Sequence, residues 1–273
     1  MKVFMSVDME GITGIAVGDQ TNENHALYRQ GCDFMVGDVN AAIEGALAAG
    51  ATEILVNDSH AKMTNIALEK LNPKATLLSG MNKPWLQMEG VQDCDAAFFV
   101  GYHSKHGTSL STLDHSYWSS LMDSIAVNGT EVGEPELNAV FAGAYGVPVV
   151  FLSGDEVTCI GAKAYIGDWL EVAVVKRAVG RQSAICLHPE VTASRITAAA
   201  KRGLGNLSVA KPCKVDLPMT LRMTFLKTQM TDQAAIYPAA ERIDGKTVRV
   251  ETPTVQEGYR AMLTLFALAR NAL

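Results

Sequence analysis

The chain has 273 residues, 48% hydrophobic and 19% charged, so it is long enough to bury a substantial core and too apolar to be disordered. Its formal net charge is −6 and its 23 lysines and arginines are scattered, which excludes the electrostatic footprint of a nucleic-acid partner or an anionic membrane. No apolar run approaches the length of a membrane span, and Met1-Lys2-Val3-Phe4-Met5-Ser6-Val7-Asp8 meets an acid too early for a signal peptide, so the expected setting is cytoplasmic.

The first predicted strand, Lys2 to Val7, runs into Asp8, Met9 and Glu10 before the chain breaks at Gly11. Asp8 and Glu10 stand two apart and would share one face if the strand continued through them. Two carboxylates on one face repel unless something positive lies between them. One reading is a solvated strand end that caps a following helix; the other is a divalent cation. Gly11 is expected to let the chain turn away and leave room for a substrate.

A helix is predicted from about His25 to Ala49, followed by the strand Glu53-Ile54-Leu55-Val56. That strand ends in Asn57-Asp58-Ser59-His60. His60 reads either as a structural histidine or as a ligand, and Asp58 or Ser59 as the cap of a next helix. The segment Met81-Asn82-Lys83-Pro84-Trp85-Leu86 looks exposed and compatible with an interface.

Three more apolar runs end in polar residues. Ala96 to Val100 leads to Gly101-Tyr102-His103, Ser124 to Val127 to Asn128-Gly129, and Val149 to Leu152 to Ser153-Gly154-Asp155. Strands separated by helices, with ligand-like residues at strand ends, predict an α/β fold: a doubly wound, mainly parallel sheet with its site beyond the carboxyl edge. His115, in the polar stretch Ser111 to Ser116, is either a surface-loop histidine or a base or electrostatic stabiliser. Glu134 opens a predicted helix, where the helix dipole alone favours an acid. His25 and His188 read as structural or surface residues.

After about Pro189 the pattern changes to a helix from Val191 to Lys201, strand-like segments at Pro212 to Thr228 and Lys246 to Glu251, and a closing amphipathic helix from about Val255 to Asn271. The expected division is residues 1–190, carrying the catalytic residues, and a second, smaller α+β lobe over 191–273. The five cysteines are widely spaced with no Cys-x-x-Cys pair, and they read as free, mostly buried thiols. No phosphate-binding loop, dinucleotide fingerprint or His-Glu-x-x-His helix is present.

Taken together, the motifs carry a resemblance. Ser6-Val7-Asp8-Met9-Glu10-Gly11 is similar to the Ser-x-Asp-x-Glu-Gly signature of the D-aminopeptidase family of DppA type, the dinuclear zinc metallopeptidases. Asn57-Asp58-Ser59-His60, Gly101-Tyr102-His103, Leu113-Asp114-His115, Gly133-Glu134 with Leu137-Asn138-Ala139, and Ser153-Gly154-Asp155 follow in the family's order. The resemblance implies that Asp8 bridges two zinc ions per subunit, that Glu10, His60, His103 and Glu134 complete the ligand set, and that His115 is the catalytic histidine, acting as base, oxyanion stabiliser or nucleophile. It also implies short D-amino-acid peptides as substrates and a ring-shaped homodecamer. One departure is Ser104-Lys105-His106, which sets His106 in competition with His103 as a ligand. Two other readings are a metal-dependent amidohydrolase or L-aminopeptidase on the same scaffold, and a non-enzymatic oligomeric binding protein with a structural metal.

Overall fold

The computed structural model describes residues 1–273. Its larger sheet takes β1 (Lys2–Val7), β2 (Glu53–Asp58), β3 (Thr76–Leu78), β4 (Ala96–Tyr102), β7 (Val149–Asp155), β8 (Glu171–Gly180) and β9 (Ser183–Cys186) in the order β3-β2-β1-β4-β7-β8-β9. Every pairing in it is parallel except that of β9 with β8, which a two-residue turn makes antiparallel. α1 (Tyr28–Ala48) and α4 (Pro189–Gly205) share one core with this sheet, in which Met35, Val39, Ile43 and Ile196 join Val3, Met5, Val7 and Phe98. The expected α/β, doubly wound, mainly parallel architecture is present, with a second antiparallel sheet beside it.

The order reverses at β1. The chain builds outward from β1 to β2 and β3, then returns to lay β4 on the other side of β1 and continues outward to β7 and β8. In open α/β sheets the crevice at such a switch, beyond the carboxyl ends of the strands, is where ligands bind. Here it is flanked by Asp8 after β1 and His103 after β4.

The second sheet has the order β11-β12-β10-β5-β6, built from β5 (Met122–Val127), β6 (Thr130–Val132), β10 (Met219–Phe225), β11 (Glu241–Arg242) and β12 (Thr247–Thr252). Ser124 to Val127 therefore does not join the parallel sheet. Asn128 and Gly129, both at positive φ (48° and 83°), close a two-residue hairpin between β5 and β6, and β10 adds antiparallel on the other edge of β5. The boundary expected at residue 190 is thus crossed twice. Residues 122–132 pair with strands that follow it, and α4, which follows it, packs on α1. One core unites both regions: Phe4, Phe99 and Leu152 of the large sheet join Leu137 and Phe141 of α2 (Glu134–Gly143), Met223 and Phe225 of β10, and Tyr259 and Leu265 of α6 (Val255–Arg270).

The five cysteines are free; Cys94 and Cys159 are buried, Cys32 and Cys213 half-buried and Cys186 exposed. In the segment expected to be exposed, Met81, Asn82 and Pro84 are so, but Lys83 is buried and Trp85 packs on Phe141 with ring centroids 5.1 Å apart. No helix is long and apolar enough to cross a membrane.

Gly11 has a different reason from the one the sequence suggested. Its amide donates to the Gly101 carbonyl at 2.8 Å, and a Cβ built on it would lie 1.9 Å from the Tyr102 carbonyl oxygen. The missing side chain lets the turn after β1 lie against the end of β4, rather than clearing space for a substrate. Gly11→Ala is expected to destabilise the fold by ~1–3 kcal/mol, the usual range for overpacking against rigid backbone. An unfolding midpoint equal to that of the unmodified chain would show that the two segments can separate freely.

Candidate metal centre

β1 ends at Val7, so Glu10 lies in a turn and not on the strand. The Asp8 amide still donates to Val100 of β4 at 2.9 Å, and Ser59, just past β2, donates to the Val7 carbonyl at 2.8 Å. Three neighbouring strands therefore stop together, and the residues that follow them, Asp8, His60 and His103, face one crevice. No helix follows His60. Asp58 instead accepts from the Asn65 and Ile66 amides and from Asn65 Nδ2 at 2.5–2.9 Å, folding the loop after His60 back on itself. Glu134 arrives from the second sheet, as the first residue of α2 after β6.

Asp8 is at the centre. Its Oδ1 lies 3.3 Å from His60 Nδ1, which is also 3.1 Å from Glu10 Oε2. Its Oδ2 lies 3.3 Å from His103 Nε2, which is also 3.2 Å from Glu134 Oε1. One carboxylate thus faces two histidine–glutamate pairs, one through each oxygen. Donor atoms of Asp8, Glu10 and His103 fall within 4.8 Å of one another, and so do those of His103, His115 and Glu134. All five expected ligand residues are brought together, each at most 11% exposed at its side chain. His106 is not among them: it is 38% exposed and faces Asp123 at 3.7 Å. His25 and His188 are surface residues, each beside an acid on its own local segment.

These contacts are short but not all are hydrogen bonds. Asp8 Oδ2, Glu10 Oε2 and His103 Nε2 are buried without a hydrogen-bond partner, although oppositely charged groups stand within 3.1–3.3 Å. Leaving such atoms unpaired is costly. Lone pairs that converge on shared space instead of on each other suit a cation, and a set of imidazoles and carboxylates suits zinc.

The far sides of the imidazoles fix their tautomers. His60 Nε2 donates to the Thr21 carbonyl at 3.1 Å and His103 Nδ1 to the Ser104 carbonyl at 2.9 Å. A carbonyl only accepts, so the nitrogen facing the carboxylates is free to bind a metal in the neutral ring. His115 follows the same rule: Nδ1 donates to Leu113 O at 2.9 Å and Nε2 points toward Glu134 Oε1, 3.9 Å away. Its ring stacks on that of His103 with centroids 4.1 Å apart and 11° between planes.

Several groups that the sequence reading gave no role support this arrangement. Gln87 Nε2 donates to Glu134 Oε2 at 2.5 Å, and the Tyr117 amide donates to Glu134 Oε1 at 2.7 Å. Asp155, which caps α3 (Glu156–Ile166) by accepting from the Thr158 amide, also accepts from Ser111 Oγ and the Thr112 amide. It thereby ties down the loop that carries His115, in which Leu113 and Tyr117 are held at positive φ of 53° and 57°. Lys176 of β8 is buried against the Glu10 turn. Burial draws its ammonium down to about 8.

The electrostatics follow from this crowding. Burial opposes ionisation of Glu10, but the facing His60, with His115 and His103, outweighs it and holds the carboxyl well below its usual range. Burial likewise opposes the charged form of His60 and His103, and the carboxylates around them reverse that effect and raise both imidazoles well above the ordinary 6.5. Without metal, the protons on these two rings are the compensating cations. A cavity of about 400 Å³ lies between Ser104, Glu136, Thr158 and Tyr165, and no candidate ligand lines it. The cluster reaches solvent instead at His60 and His115, whose side chains are 11% and 15% exposed.

The family model described as D-aminopeptidase matches residues 1–264. The chain belongs to this family. A D-aminopeptidase of Bacillus subtilis (strain 168) is 35% identical over 271 residues, 98% of each chain. The solved structure of the Zn-dependent D-aminopeptidase DppA from Bacillus subtilis, described as a self-compartmentalizing protease, matches with a TM-score of 0.95 at 34% identity, covering 99% of this chain and 98% of that one. A D-aminopeptidase-family fold is thus present from end to end.

The raised imidazoles predict a pH signature. Folded-state pKa values above the unfolded value of about 6.5 give stability that is fully present below that value and lost as pH rises through the raised ones. Bound zinc would replace those two protons, so the loaded protein would not lose this contribution as pH rises. Thermal unfolding followed from about pH 6 to 9 should show the metal-free protein losing stability toward alkaline pH relative to the zinc-loaded protein. Parallel curves for the two forms would contradict the charge-compensation account.

Proposed function

We propose that this chain is a zinc-dependent D-aminopeptidase that releases the N-terminal residue from short peptides beginning with a D-amino acid such as D-Ala. The observation that carries the reading is the placement of Asp8, each of whose oxygens faces a separate histidine–glutamate pair. On this reading Asp8, Glu10 and His60 hold one zinc ion and Asp8, His103 and Glu134 the other, two per subunit. The stereochemical preference is drawn from family membership and from the activity named for the Bacillus subtilis relatives.

When bound, a zinc pair of this kind polarises the scissile carbonyl and lowers the pKa of water toward ~7. The protein's own part in the chemistry falls to His115. With its Nδ1 proton committed to Leu113 O, Nε2 is the basic atom, and it sits beside Glu134 at the solvent-reaching edge of the cluster. On this reading it takes a proton from the attacking water and returns it to the departing amine, a general acid–base role supported by the free Nε2 facing the cluster. The negative charge of Glu134 stabilises the imidazolium formed in between. An edge that reaches solvent favours a catalytic centre over a closed structural one.

We place the enzyme in the cytoplasm as a homo-oligomer. The self-compartmentalizing relative supports assembly, as do Ile160, Val179 and Ile185, which are more than half exposed. The ring-shaped decamer implied by the resemblance is the assembly proposed.

Assays of the zinc-loaded protein on D-Ala-D-Ala and L-Ala-L-Ala should show hydrolysis of the D-dipeptide exceeding that of the L-dipeptide by at least about 100-fold, a difference of ~2.7 kcal/mol in transition-state binding. Equal rates would favour an L-aminopeptidase or general amidohydrolase. His115→Ala should keep its zinc, measured by elemental analysis, and lose roughly 10²–10⁴-fold in kcat, the range for a missing general acid–base group. Near-normal turnover in that variant would remove His115 from the reaction.

A further inference from the structure

Lys176 is a fully buried ammonium whose hydrogen bonds all go to one turn. Its Nζ donates to the carbonyls of Glu10, Ile12 and Ile15 at 2.5, 2.9 and 2.6 Å, using all three of its protons. It reaches them because the pairing of β7 with β8 slips by one residue between Gly154–Val174 and Asp155–Lys176. Such irregularities re-aim a side chain, and they concentrate near active sites. No carboxylate forms an ion pair with this ammonium, so its contacts are directed at backbone geometry.

The turn it holds supplies Glu10 and nothing else to the metal centre. The other half of the centre is supported independently. His103 is held by the Ser104 carbonyl, and Glu134 by Gln87 and by the Tyr117 amide, hydrogen bonds that involve neither Lys176 nor residues 10–15; the turn meets this side where the Gly11 amide donates to the Gly101 carbonyl of β4, a strand kept in register by β1 and β7. Asp8 itself is fixed through its amide to Val100 of β4. The two candidate metal positions thus share Asp8 and one backbone contact at Gly101, but β4 and α2 are held by pairings and hydrogen bonds that do not pass through Lys176.

We propose that Lys176 is a positioning residue for one metal only, the one held by Glu10 and His60, and that the position held by His103 and Glu134 does not depend on it. The inference rests on the dinuclear reading above. Removing the ammonium leaves the buried carbonyls of Glu10 and Ile15 without a donor and that of Ile12 with the Ile15 amide alone, which frees the turn to move and withdraws Glu10 from His60 while the β4 and α2 side stays in place. Groups behind metal ligands typically change affinity by ~10–100-fold, which sets the expected size of the effect.

The test is a zinc titration of the metal-free full-length protein against a chromophoric chelator, with stoichiometry checked by elemental analysis. The unmodified protein should bind two zinc ions per chain. Lys176→Met should keep one at unchanged affinity and bind the other at least about tenfold more weakly. In a Glu10→Ala background, where that position is already impaired, Lys176→Met should add no further loss. Two zinc ions bound as in the unmodified protein, or equal weakening of both in a protein whose circular dichroism is native, would overturn the proposal. If Lys176→Met does not fold, Lys176→Gln, which retains two donors, should weaken one zinc position selectively, and unchanged binding of both there would likewise overturn it. Fewer than two zinc ions on the unmodified protein would instead sink the dinuclear reading itself.

Discussion

Everything in this molecule is arranged around a repulsion. Asp8, Glu10 and Glu134 are buried together, their oxygens bridged by imidazoles 3.1–3.3 Å away. Three carboxylates so placed cannot stay ionised in a protein interior unless positive charge lies among them. Metal-free, that charge is the pair of protons on His60 and His103; on the proposed reading a bound metal would supply it instead, and the protons would leave as it entered. The same surroundings that hold the Glu10 and Glu134 carboxyls low are those that would favour a cation between them. A group that could neutralise itself by taking up a proton would lose the ability to bind metal, so the low-lying Glu10 carboxyl is part of the design of the site.

The fold answers this constraint with topology. Asp8, His60 and His103 come from the ends of three adjacent parallel strands, where the reversal of order at β1 opens a crevice without any insertion in the sheet. Glu134 comes from the antiparallel sheet, so the fourth wall belongs to the element that interleaves the two regions. The polar network behind Glu134 makes the join rigid: Asn138 donates to Gln87 and Tyr102 and accepts from Tyr117 and Tyr259, linking α2, β4 and α6 around one buried amide. The Glu134 side of the centre is therefore braced by α2, β4 and α6 together.

How much of this could be read from the residues follows from the range of each interaction. Asp8, Glu10, His60 and His103 stand out because an apolar run ending in a ligand-type residue is a local pattern, and His115 and Glu134 stand out as a loop histidine and a helix-opening acid, whereas the role of each of the six comes only with the ordered family resemblance. Ser124 to Val127 resembles the parallel strands in its apolar run, but its own local signal points elsewhere: Asn128-Gly129 is a hairpin turn, and a two-residue hairpin makes its strands antiparallel, so this segment cannot enter the parallel sheet the way its neighbours do. Glu10 was expected on a strand face, yet it reaches His60 from a turn, because Gly11 lets that turn press against Tyr102. Lys176 was not legible at all. A lysine after Val174-Val175 reads as the outward residue of a strand, and only the slipped register against β7, together with a turn more than 160 residues away in sequence, makes it an inward one.

The supports also explain why the site is built largely on loops without being loose. Ala61 and Met63 after His60, and Leu110, Leu113 and Tyr117 around His115, all hold positive φ, which costs a side-chain-bearing residue of order 1 kcal/mol each. Such conformations persist only where the surroundings over-determine them. Asp58 does this for the first loop with two amides and a side-chain amide, and Asp155 for the second with an amide and two hydroxyls on one oxygen. Both aspartates stand at the ends of parallel strands, so the rigidity of the sheet is carried outward by one residue's length into the loops. Strands alone would point alternate side chains to opposite faces. Strained loops pinned by strand-end carboxylates let His60 and His115 turn toward the crevice instead.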